Sequence, residues 1–425
     1  MDPPAEPECS EMTNIGNFPG PHRYASFLRT STRFNAFQEK LSMLMLNDDL
    51  GRIIEEKSFN KISVRGDELV PQNILLKGIA KIGDRKAVMF VQNVGYCNYL
   101  DSRKHAFIIG ELLKLATKLK IPIIGITDYG PAYGFPTIFT HANSEPMLKA
   151  KYDGQAQVPF MWLHIGNPTN LTIPSIVADF IFTAGSINGP ILFNQRVSHG
   201  FFMHHLAALG FMRALFSYIP NNNLKPAILY YFPPNQQPEP TDIPERDMIP
   251  FIESMADYNA FIPLMIQHSP QLLVGFIRLE GRVVGVLSKN WIGFSLSLDH
   301  DMSIKGSQFI RYCNTFQVPL MVILEKPFST AEMNITMNFL SDLVEPTTNM
   351  LNCFKQATTL KLTLLLSGQC DYNVSTELLG KRVLCWSHET ELRPKIQTFL
   401  KATGGTLIQV TRQETLSKVM HYFSN

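Results

Sequence analysis

The chain has 425 residues, of which 45% are hydrophobic and 17% are charged. The hydrophobic share is typical of globular domains, and a charged share below the usual ~25% indicates that part of the surface is covered in an oligomer. Thirty-eight basic and 36 acidic residues give a net charge of +2. This balance argues against nucleic acid as the main partner, because phosphate binding needs a concentrated basic face.

The cysteines and the apolar stretches restrict the class of protein further. Six cysteines are scattered without a CxxC pair, which excludes a zinc knuckle and a thioredoxin motif and indicates a reducing compartment. The N-terminal sequence MDPPAEPECSEM is acidic and proline-rich, and it resembles neither a secretory signal nor a mitochondrial presequence. The most apolar long stretch, residues 171–193, contains Pro174, Asp179 and Pro190, so it is predicted to be buried core and not a membrane span.

An internal repeat is the strongest signal in the sequence. Residues 78–93 (GIAKIGDRKAVMFVQN) and 275–290 (GFIRLEGRVVGVLSKN) have the pattern of a β-hairpin and are offset by 197 positions. Pro122 and Pro319, each followed by an apolar strand, repeat the same offset. A third pair of apolar strands ends in Gly166 and Gly368. Repetition of hairpin, helix and buried strand favours a layered α/β architecture.

An amphipathic helix is predicted before each of the two prolines, because apolar residues recur with the period of one helix face. The two stripes are Ile109, Leu112, Leu113 and Ala116, and Gly306, Phe309, Ile310 and Cys313.

Proline content predicts the division of the chain. Five prolines between residues 232 and 244 prevent a helix and disfavour a central strand. The predicted division is a weakly ordered tail over residues 1–35, a first domain over 36–231, a linker over 232–250 and a second domain over 251–425.

Several segments carry a family resemblance. Residues 274–290 (VGFIRLEGRVVGVLSKN) and 297–324 (SLDHDMSIKGSQFIRYCNTFQVPLMVIL) are the clearest, and DYGPA at 128–132 and NGP at 188–190 are weaker. These segments resemble the carboxyltransferase (β) subunits of biotin-dependent acyl-CoA carboxylases, of the propionyl-CoA and methylcrotonyl-CoA type. The resemblance covers residues 75 to 390.

The resemblance implies a fold and a set of binding residues. The fold class is α/β, with two tandem crotonase-like (ββα spiral) domains of the ClpP/crotonase superfamily. The first domain receives acyl-CoA in that family, and the second receives carboxybiotin. The implied acyl-CoA residues are Asp128, Gly130, Ala132, Gly189 and Pro190, and the implied biotin-side residues are Pro327 and Phe328.

Partners and compartment also follow from the resemblance. It implies a homo-oligomer or a complex with a β-type paralogue, and an α subunit that carries biotin. No cofactor is intrinsic to the chain; acyl-CoA and the partner's biotin are the implied ligands. Localisation is the mitochondrial matrix by resemblance and the cytoplasm by the lack of a clear presequence. Neither a nucleic acid nor a membrane span is expected.

The departures from the family pattern bear on activity. The family holds two oxyanions with backbone N–H groups in glycine-rich loops, G-x-C-x-G-G-A and A-Y-G-G-A-Y. Here only Gly166 remains of the first loop, and Asn170 and Leu171 replace its glycine pair. In the second loop Gly368 is followed by Gln369, and the glycine pair is missing. No side chain is therefore assigned a catalytic role, and the chain is predicted to be an inactive carboxyltransferase-like subunit. The alternative is an active acyl-CoA carboxyltransferase with an altered oxyanion hole.

Two histidine-containing segments have alternative interpretations. Residues 299–301 (Asp-His-Asp) are compatible with a metal site, but a structural role is favoured, with Asp301 or Ser303 capping the following helix. His199, His204 and His205 lie in an apolar, helix-like stretch, and core or interface positions are favoured over metal ligation.

The basic segment 103–105 (Arg-Lys-His) lies at a predicted helix start. It is compatible with contacts to CoA phosphates. A solvated helix end is the favoured alternative.

Overall fold

The computed structural model describes residues 50–70, 75–93, 102–129, 141–153, 157–166, 168, 171–185, 197–225, 247–266, 268–290, 300–324, 337–366, 378–386, 398 and 400–424. Within these residues, two seven-stranded sheets follow one another along the chain. Strands lie in chain order in each sheet. The first three strands pair antiparallel, and the third strand also begins a run of five parallel strands. The two sheets therefore repeat one topology.

The strands of the first sheet are β1 (Asn60–Lys61), β2 (Leu75–Ile82), β3 (Arg85–Asn93), β4 (Ile123–Asp128), β5 (Phe160–Ile165), β6 (Phe180–Ala184) and β7 (Gly200–Phe202). Those of the second sheet are β8 (Ile262–Leu264), β9 (Leu272–Leu279), β10 (Arg282–Lys289), β11 (Leu320–Leu324), β12 (Lys361–Leu365), β13 (Arg382–Trp386) and β14 (Thr406–Val410). The α-helices in the described residues are α1 (Ser102–Leu119), α2 (His141–Tyr152), α3 (Thr172–Val177), α4 (His205–Phe216), α5 (Ile249–Met255), α6 (His300–Thr315), α7 (Met337–Gln356) and α8 (Arg412–Ser424).

The predicted repeat is confirmed by these elements. The two hairpins are β2–β3 and β9–β10, and their turns contain left-handed residues at Gly83, Glu280 and Gly281. The two predicted amphipathic helices are α1 and α6, and every residue of both apolar stripes is buried. The strands after Pro122 and Pro319 are β4 and β11, the first crossover strands to run parallel to their hairpins.

The core has three parts, because each sheet buries both faces. One outer cluster lies under α1 and α2 of the first half, and another lies between the second sheet and helices α5 and α8. The third cluster contains residues of both halves, so the two sheets pack on each other. The rings of Phe180 and Tyr312 meet across this junction at a centroid distance of 4.5 Å. The prediction that residues 171–193 form buried core is confirmed for the described part of this stretch. The most buried side chains, each at most 1% exposed, include Leu171, Val177, Ile181 and Phe182.

Two arginines from corresponding hairpins hold the C-terminal end of α4. Arg85 donates from Nη1 to the carbonyls of Phe216 and Ile219, both at 2.7 Å, and from Nε and Nη2 to Asn221 Oδ1. Arg278 lies 4.1 Å from the centre of the Tyr218 ring. Cations at this end of a helix also interact favourably with its dipole. The two halves are thereby joined through one helix terminus.

Removing the buried arginine is expected to be costly. R85A would leave two buried carbonyls without donors, so we expect a loss of about 3 kcal/mol in the free energy of unfolding, measured by urea denaturation. R282A removes a half-buried arginine from the β9–β10 hairpin and is the control, with an expected change within about 0.5 kcal/mol. Equal losses in the two variants would contradict this account.

Some sequence-based predictions require correction. Helix α6 begins at His300, so Asp301 and Ser303 lie inside it, and the prediction that either one caps the helix was wrong. The stretch containing His199, His204 and His205 is a strand followed by a helix and not one helix. No group of three metal-ligating side chains occurs among the described residues. The tail and residues 226–246 of the linker region lie outside the described residues, and the domain boundaries stay predictions.

Candidate functional site at the carboxyl edge of the first sheet

The strand pairing brings two of the predicted site residues to one edge. Asp128 is the last residue of β4, and it pairs with Ile165 of β5, which directly precedes Gly166. Because β4 and β5 are parallel, the loops that follow them emerge at the same edge. The structure therefore places Asp128 and Gly166 side by side at the carboxyl edge of the first sheet, where parallel α/β sheets bind their ligands.

Most other predicted site residues cannot be placed. These residues lie outside the described part of the chain: Gly130, Ala132, Asn170, Gly189, Pro190, Pro327, Phe328, Gly368 and Gln369. Their assignment to acyl-CoA or biotin stays a prediction.

Two backbone donors beside Gly166 are engaged within the sheet. The Gly166 N–H donates to the carbonyl of Ala184 at 2.9 Å, so it continues the sheet. The Tyr129 N–H likewise donates to the carbonyl of Ile165 at 2.9 Å. Pro168 and Pro174 flank the loop and have no N–H to offer. Gly166 has φ +90°, which explains why glycine is kept here although its N–H is used elsewhere.

Leu171 is one of the two residues predicted to replace the glycine pair of the family pattern. Its side chain is 1% exposed and belongs to the outer core cluster of the first half. The residue precedes the first turn of α3 and makes no side-chain capping bond. Leu171 is therefore a packing residue. In a glycine-rich loop the lack of a side chain lets a ligand approach the backbone, whereas here the Leu171 side chain occupies that space.

A row of polar side chains crosses the sheet one position before this edge. Gln92, Thr127, His164 and Thr183 are cross-strand neighbours on β3, β4, β5 and β6, and all are 0% exposed. We call these four residues the polar row. Buried polar groups at such positions require hydrogen-bond partners, because their desolvation is otherwise uncompensated.

Part of the polar row forms a directed chain of hydrogen bonds. Trp162 Nε1 donates to Thr127 Oγ1 at 2.9 Å, and Thr127 Oγ1 donates to Gln92 Oε1 at 3.3 Å. Gln92 Nε2 then donates to His105 Nδ1 at 2.6 Å. His105 is 3% exposed, so within the basic segment 103–105 it is a buried helix residue, whereas Arg103 is exposed.

The remaining member, His164, pairs with Tyr129. The Tyr129 hydroxyl and His164 Nδ1 are 3.0 Å apart, and the His164 Nε2 atom is buried without a hydrogen-bond partner. Burial lowers the pKa of His164 to about 3 and raises the pKa of Tyr129 above its usual value. Both groups are therefore neutral near pH 7. Because both pKa values lie far from 7, the pair is poorly suited to general acid–base catalysis at neutral pH.

The corresponding edge of the second sheet differs in character. Its central parallel strands end in Leu324, Leu365 and Leu366, which are at most 4% exposed. The Leu366 N–H donates to the carbonyl of Leu324 at 2.9 Å, so this donor too continues the sheet. In the described part of the second half, the polar row has no counterpart on β11 and β12.

Sequence reasoning missed the polar row and the Tyr129–His164 pair. The signal was a single histidine inside the apolar strand sequence FMWLHI, with a tyrosine in the position where the family motif has a small residue. Neither residue shows by itself that the two rings meet, because they lie 35 positions apart on different strands.

Comparison with known protein families gives a partial match. The Carboxyl transferase domain family matches residues 191–328. The mitochondrial propionyl-CoA carboxylase beta chain of Sus scrofa is 24% identical over 400 residues, covering 82% of this chain and 72% of that protein. The Homo sapiens protein of the same name is 23% identical over 439 residues, covering 89% of this chain and 79% of that protein.

Solved structures resemble nearly the whole chain. A transcarboxylase 12S structure with hydrolyzed methylmalonyl-coenzyme A bound has a TM-score of 0.69 at 15% identity, covering 95% of this chain and 93% of that one. A single-chain, multi-domain long-chain acyl-CoA carboxylase has a TM-score of 0.67 at 12% identity, covering 95% of this chain and 48% of that one.

The class of protein follows from the fold and these matches. The two-sheet α/β fold is the fold of the solved transcarboxylase 12S and acyl-CoA carboxylase chains, which confirms the predicted fold class. More narrowly, the chain is related to the carboxyltransferase (β) subunits of acyl-CoA carboxylases, and the family predicted from its sequence is confirmed. Among the described residues, none of the helices is long and apolar enough to cross a membrane.

Proposed function

We propose that this chain is a carboxyltransferase-like protein that has lost carboxyl transfer and acts as a structural or regulatory subunit of a carboxylase-type assembly. The observation that carries the proposal is the donor-poor loop after β5. There the Gly166 N–H is bonded to Ala184, two prolines flank the loop and the Leu171 side chain is buried. In the described part of this loop, Gly166 and Pro168 therefore offer no free N–H group to an oxyanion.

The energetic consequence is large. One oxyanion-hole donor is worth about 2.7–4 kcal/mol of activation free energy, so loss of donors at two oxyanion sites slows the reaction by on the order of 10⁴-fold or more. The Tyr129 hydroxyl does not replace these donors, because it is bonded to His164 Nδ1 below the edge.

The retained features suit assembly better than chemistry. The alignment with the solved transcarboxylase 12S fold covers 95% of the chain, while the N–H groups of Tyr129, Gly166 and Leu366 at the two sheet edges are used within the sheets. The related transcarboxylase 12S forms a hexamer that serves as a multienzyme core. By analogy we propose a homo-oligomer or a complex with a β-type paralogue, a biotin-carrying α-type partner and, as for the mammalian relatives, a location in mitochondria. Acyl-CoA and the partner's biotin would be its ligands if binding is retained.

Native purification tests the proposed assembly. The tagged chain would be purified from its own cells and probed with streptavidin for a biotinylated partner. A stoichiometric biotinylated band in a high-mass complex supports the subunit proposal. A complex without any biotinylated protein would contradict it.

Carboxyl transfer is predicted to be at least about 10⁴-fold slower than for an active relative. The purified assembly, depleted of any paralogous β chain, would be assayed for bicarbonate fixation into propionyl-CoA. The human propionyl-CoA carboxylase beta chain in its own complex is the positive control. A rate within about a hundredfold of that control would overturn the proposal and support the alternative, an active acyl-CoA carboxyltransferase that moves a carboxyl group from carboxybiotin.

A further inference from the structure

A cavity lies between the two halves, at the opposite end of the first sheet from the candidate site. Its volume is about 380 Å³, within the range of about 300–1,000 Å³ that small-ligand sites occupy. One wall comes from α2, α3 and the start of β6 in the first half, and the other comes from α6, β8 and β9 in the second. We call this space the interdomain cavity. Asp179 lines the cavity and directly precedes β6, so the cavity lies at the amino end of that strand.

The walls of the interdomain cavity are largely apolar. Aromatic side chains from both halves line it: Phe180 from the first and Phe309, Tyr312 and Phe316 from the second. Phe180, Tyr312 and Phe316 contact each other in series, with centroid distances of 4.5 and 4.8 Å. These contacts fix the shape of the space, and they suit an apolar ligand body better than a sugar or a nucleotide.

Two hydrogen-bond donors at the cavity lack protein partners in the described residues. His199 Nδ1 accepts the N–H of Ile181 at 3.1 Å, so in the neutral ring Nε2 carries the proton. Burial lowers the pKa of His199 to about 4, which keeps the ring neutral near pH 7. The Tyr312 hydroxyl is buried and has no hydrogen-bond partner, and the residue is 7% exposed. The His199 Nε2–H is therefore a donor that an acceptor in the cavity would satisfy, directly or through a bound water, whereas the Tyr312 hydroxyl is enclosed by protein atoms.

The charges around the cavity are mainly positive. Three cationic residues, Lys151, Lys305 and Arg311, and one acidic residue, Asp179, line it. Asp179 is already neutralised, because Lys151 Nζ lies 3.0–3.1 Å from both its carboxylate oxygens and the Phe160 N–H donates to it at 2.8 Å. Burial lowers the pKa of Lys305 to about 7 and its Nζ donates to three backbone carbonyls, so it supplies neither a full charge near pH 7 nor a free donor. Arg311, which is exposed, donates from Nε to Cys353 Sγ at 3.1 Å and has its two Nη groups available to a ligand.

We propose that the interdomain cavity binds a small monocarboxylate with an apolar tail. The carboxylate group would lie toward Arg311 and the His199 donor, and the tail would lie among the aromatic rings. Such a ligand contacts both halves at once, so its binding stabilises their packing. This site is separate from the carboxyl edge of the first sheet and carries no assumption about carboxyl transfer.

The test uses chemical probes of matched length. Hexanoate, octanoate and decanoate would be titrated into the full-length protein by calorimetry and thermal unfolding, beside hexanol, octanol and decanol. We expect saturable binding of a carboxylate with a rise in melting temperature, and at least tenfold weaker binding of the alcohol of equal length. Equal affinities for acid and alcohol would overturn the assignment of an anion site, and no binding of any acid would overturn the proposal altogether.

Variants locate the binding. R311Q is expected to weaken octanoate binding about tenfold, the loss expected for one charge-assisted hydrogen bond. K418Q removes an exposed positive charge from α8, outside the cavity lining, and is the matched control with unchanged affinity. T315W places a large ring in the cavity from the end of α6 and is expected to abolish binding while the protein stays folded by circular dichroism. Octanoate binding that is unchanged in both R311Q and T315W would place the ligand elsewhere and contradict the proposal.

Discussion

Lowering the pH from 7 to 5 is expected to cost about 4 kcal/mol of the free energy of unfolding through two histidines, the buried His164 and the partly buried His199. Burial lowers their folded-state pKa values to about 3 and about 4, whereas an unfolded chain has a histidine pKa of about 6.5. Between these values the unfolded state binds more protons than the folded state. Stability is therefore full above pH 6.5 and falls as the pH decreases, by up to about 1.4 kcal/mol per pH unit for each histidine.

Variants separate the two contributions. H199N keeps an acceptor for the Ile181 N–H, and H164L combined with Y129F removes both partners of the buried pair. Each is expected to remove about 2 kcal/mol of the loss between pH 7 and 5, measured from urea denaturation at each pH. The exposed His204 provides the control H204Q, which is expected to leave the pH profile unchanged. An unaltered profile in both test variants would show that other groups cause the acid sensitivity.

The second large effect is expected at a pair of repeat-related glycines, Gly78 and Gly275. A Cβ on Gly275 would lie 2.3 Å from the carbonyl oxygen of Ile262, and a Cβ on Gly78 would lie 2.6 Å from that of Asn60. Both contacts are with the backbone of the edge strand next to each hairpin, so the edge strand must separate to make room. We expect G275A to lower the free energy of unfolding by about 3 kcal/mol, with a similar loss for G78A.

A glycine elsewhere in the chain provides the control. Gly210 lies in the middle of α4, and a Cβ there would have nothing within 4 Å. G210A is therefore expected to stabilise the protein by about 0.5–1 kcal/mol, because alanine favours the helix. Urea denaturation of the three variants is the measurement. If G275A were no more destabilising than G210A, close approach of the edge strand would not be the reason for glycine in the repeat.

These glycines show how much of the fold was available in the sequence. Gly78 and Gly275 begin the two hairpin segments whose 197-residue offset revealed the repeat. The alternation after them, the helical stripes and the strands after Pro122 and Pro319 were correctly predicted, because hydrophobic period and turn residues are local properties of the chain. The start of α6 was predicted wrongly, because several polar residues in this segment are equally suitable as helix caps and local sequence does not choose among them.

The candidate site was predictable only in part. Sequence motifs placed Asp128 and Gly166 at strand ends, and parallel pairing brought them together. That the Gly166 N–H is used by Ala184 and that Leu171 is core could not be read from the residues, because both facts depend on what packs above and beside the loop. The same holds for His164, whose partner Tyr129 is reached only when β4 and β5 lie side by side.

By itself, the sequence determined that this protein has two related α/β halves. It also showed that these halves resemble a carboxyltransferase but lack the glycine pairs of that family's oxyanion loops. The tertiary structure alone decided how the halves are joined: Arg278 of the second half lies over the Tyr218 ring of the first, and Phe180 meets Tyr312 across the junction that encloses the cavity. The reason is physical. Periodicity and turn chemistry are set by neighbours in the chain, whereas burial, proton affinity and cavity shape are set by residues that meet only after both sheets have formed.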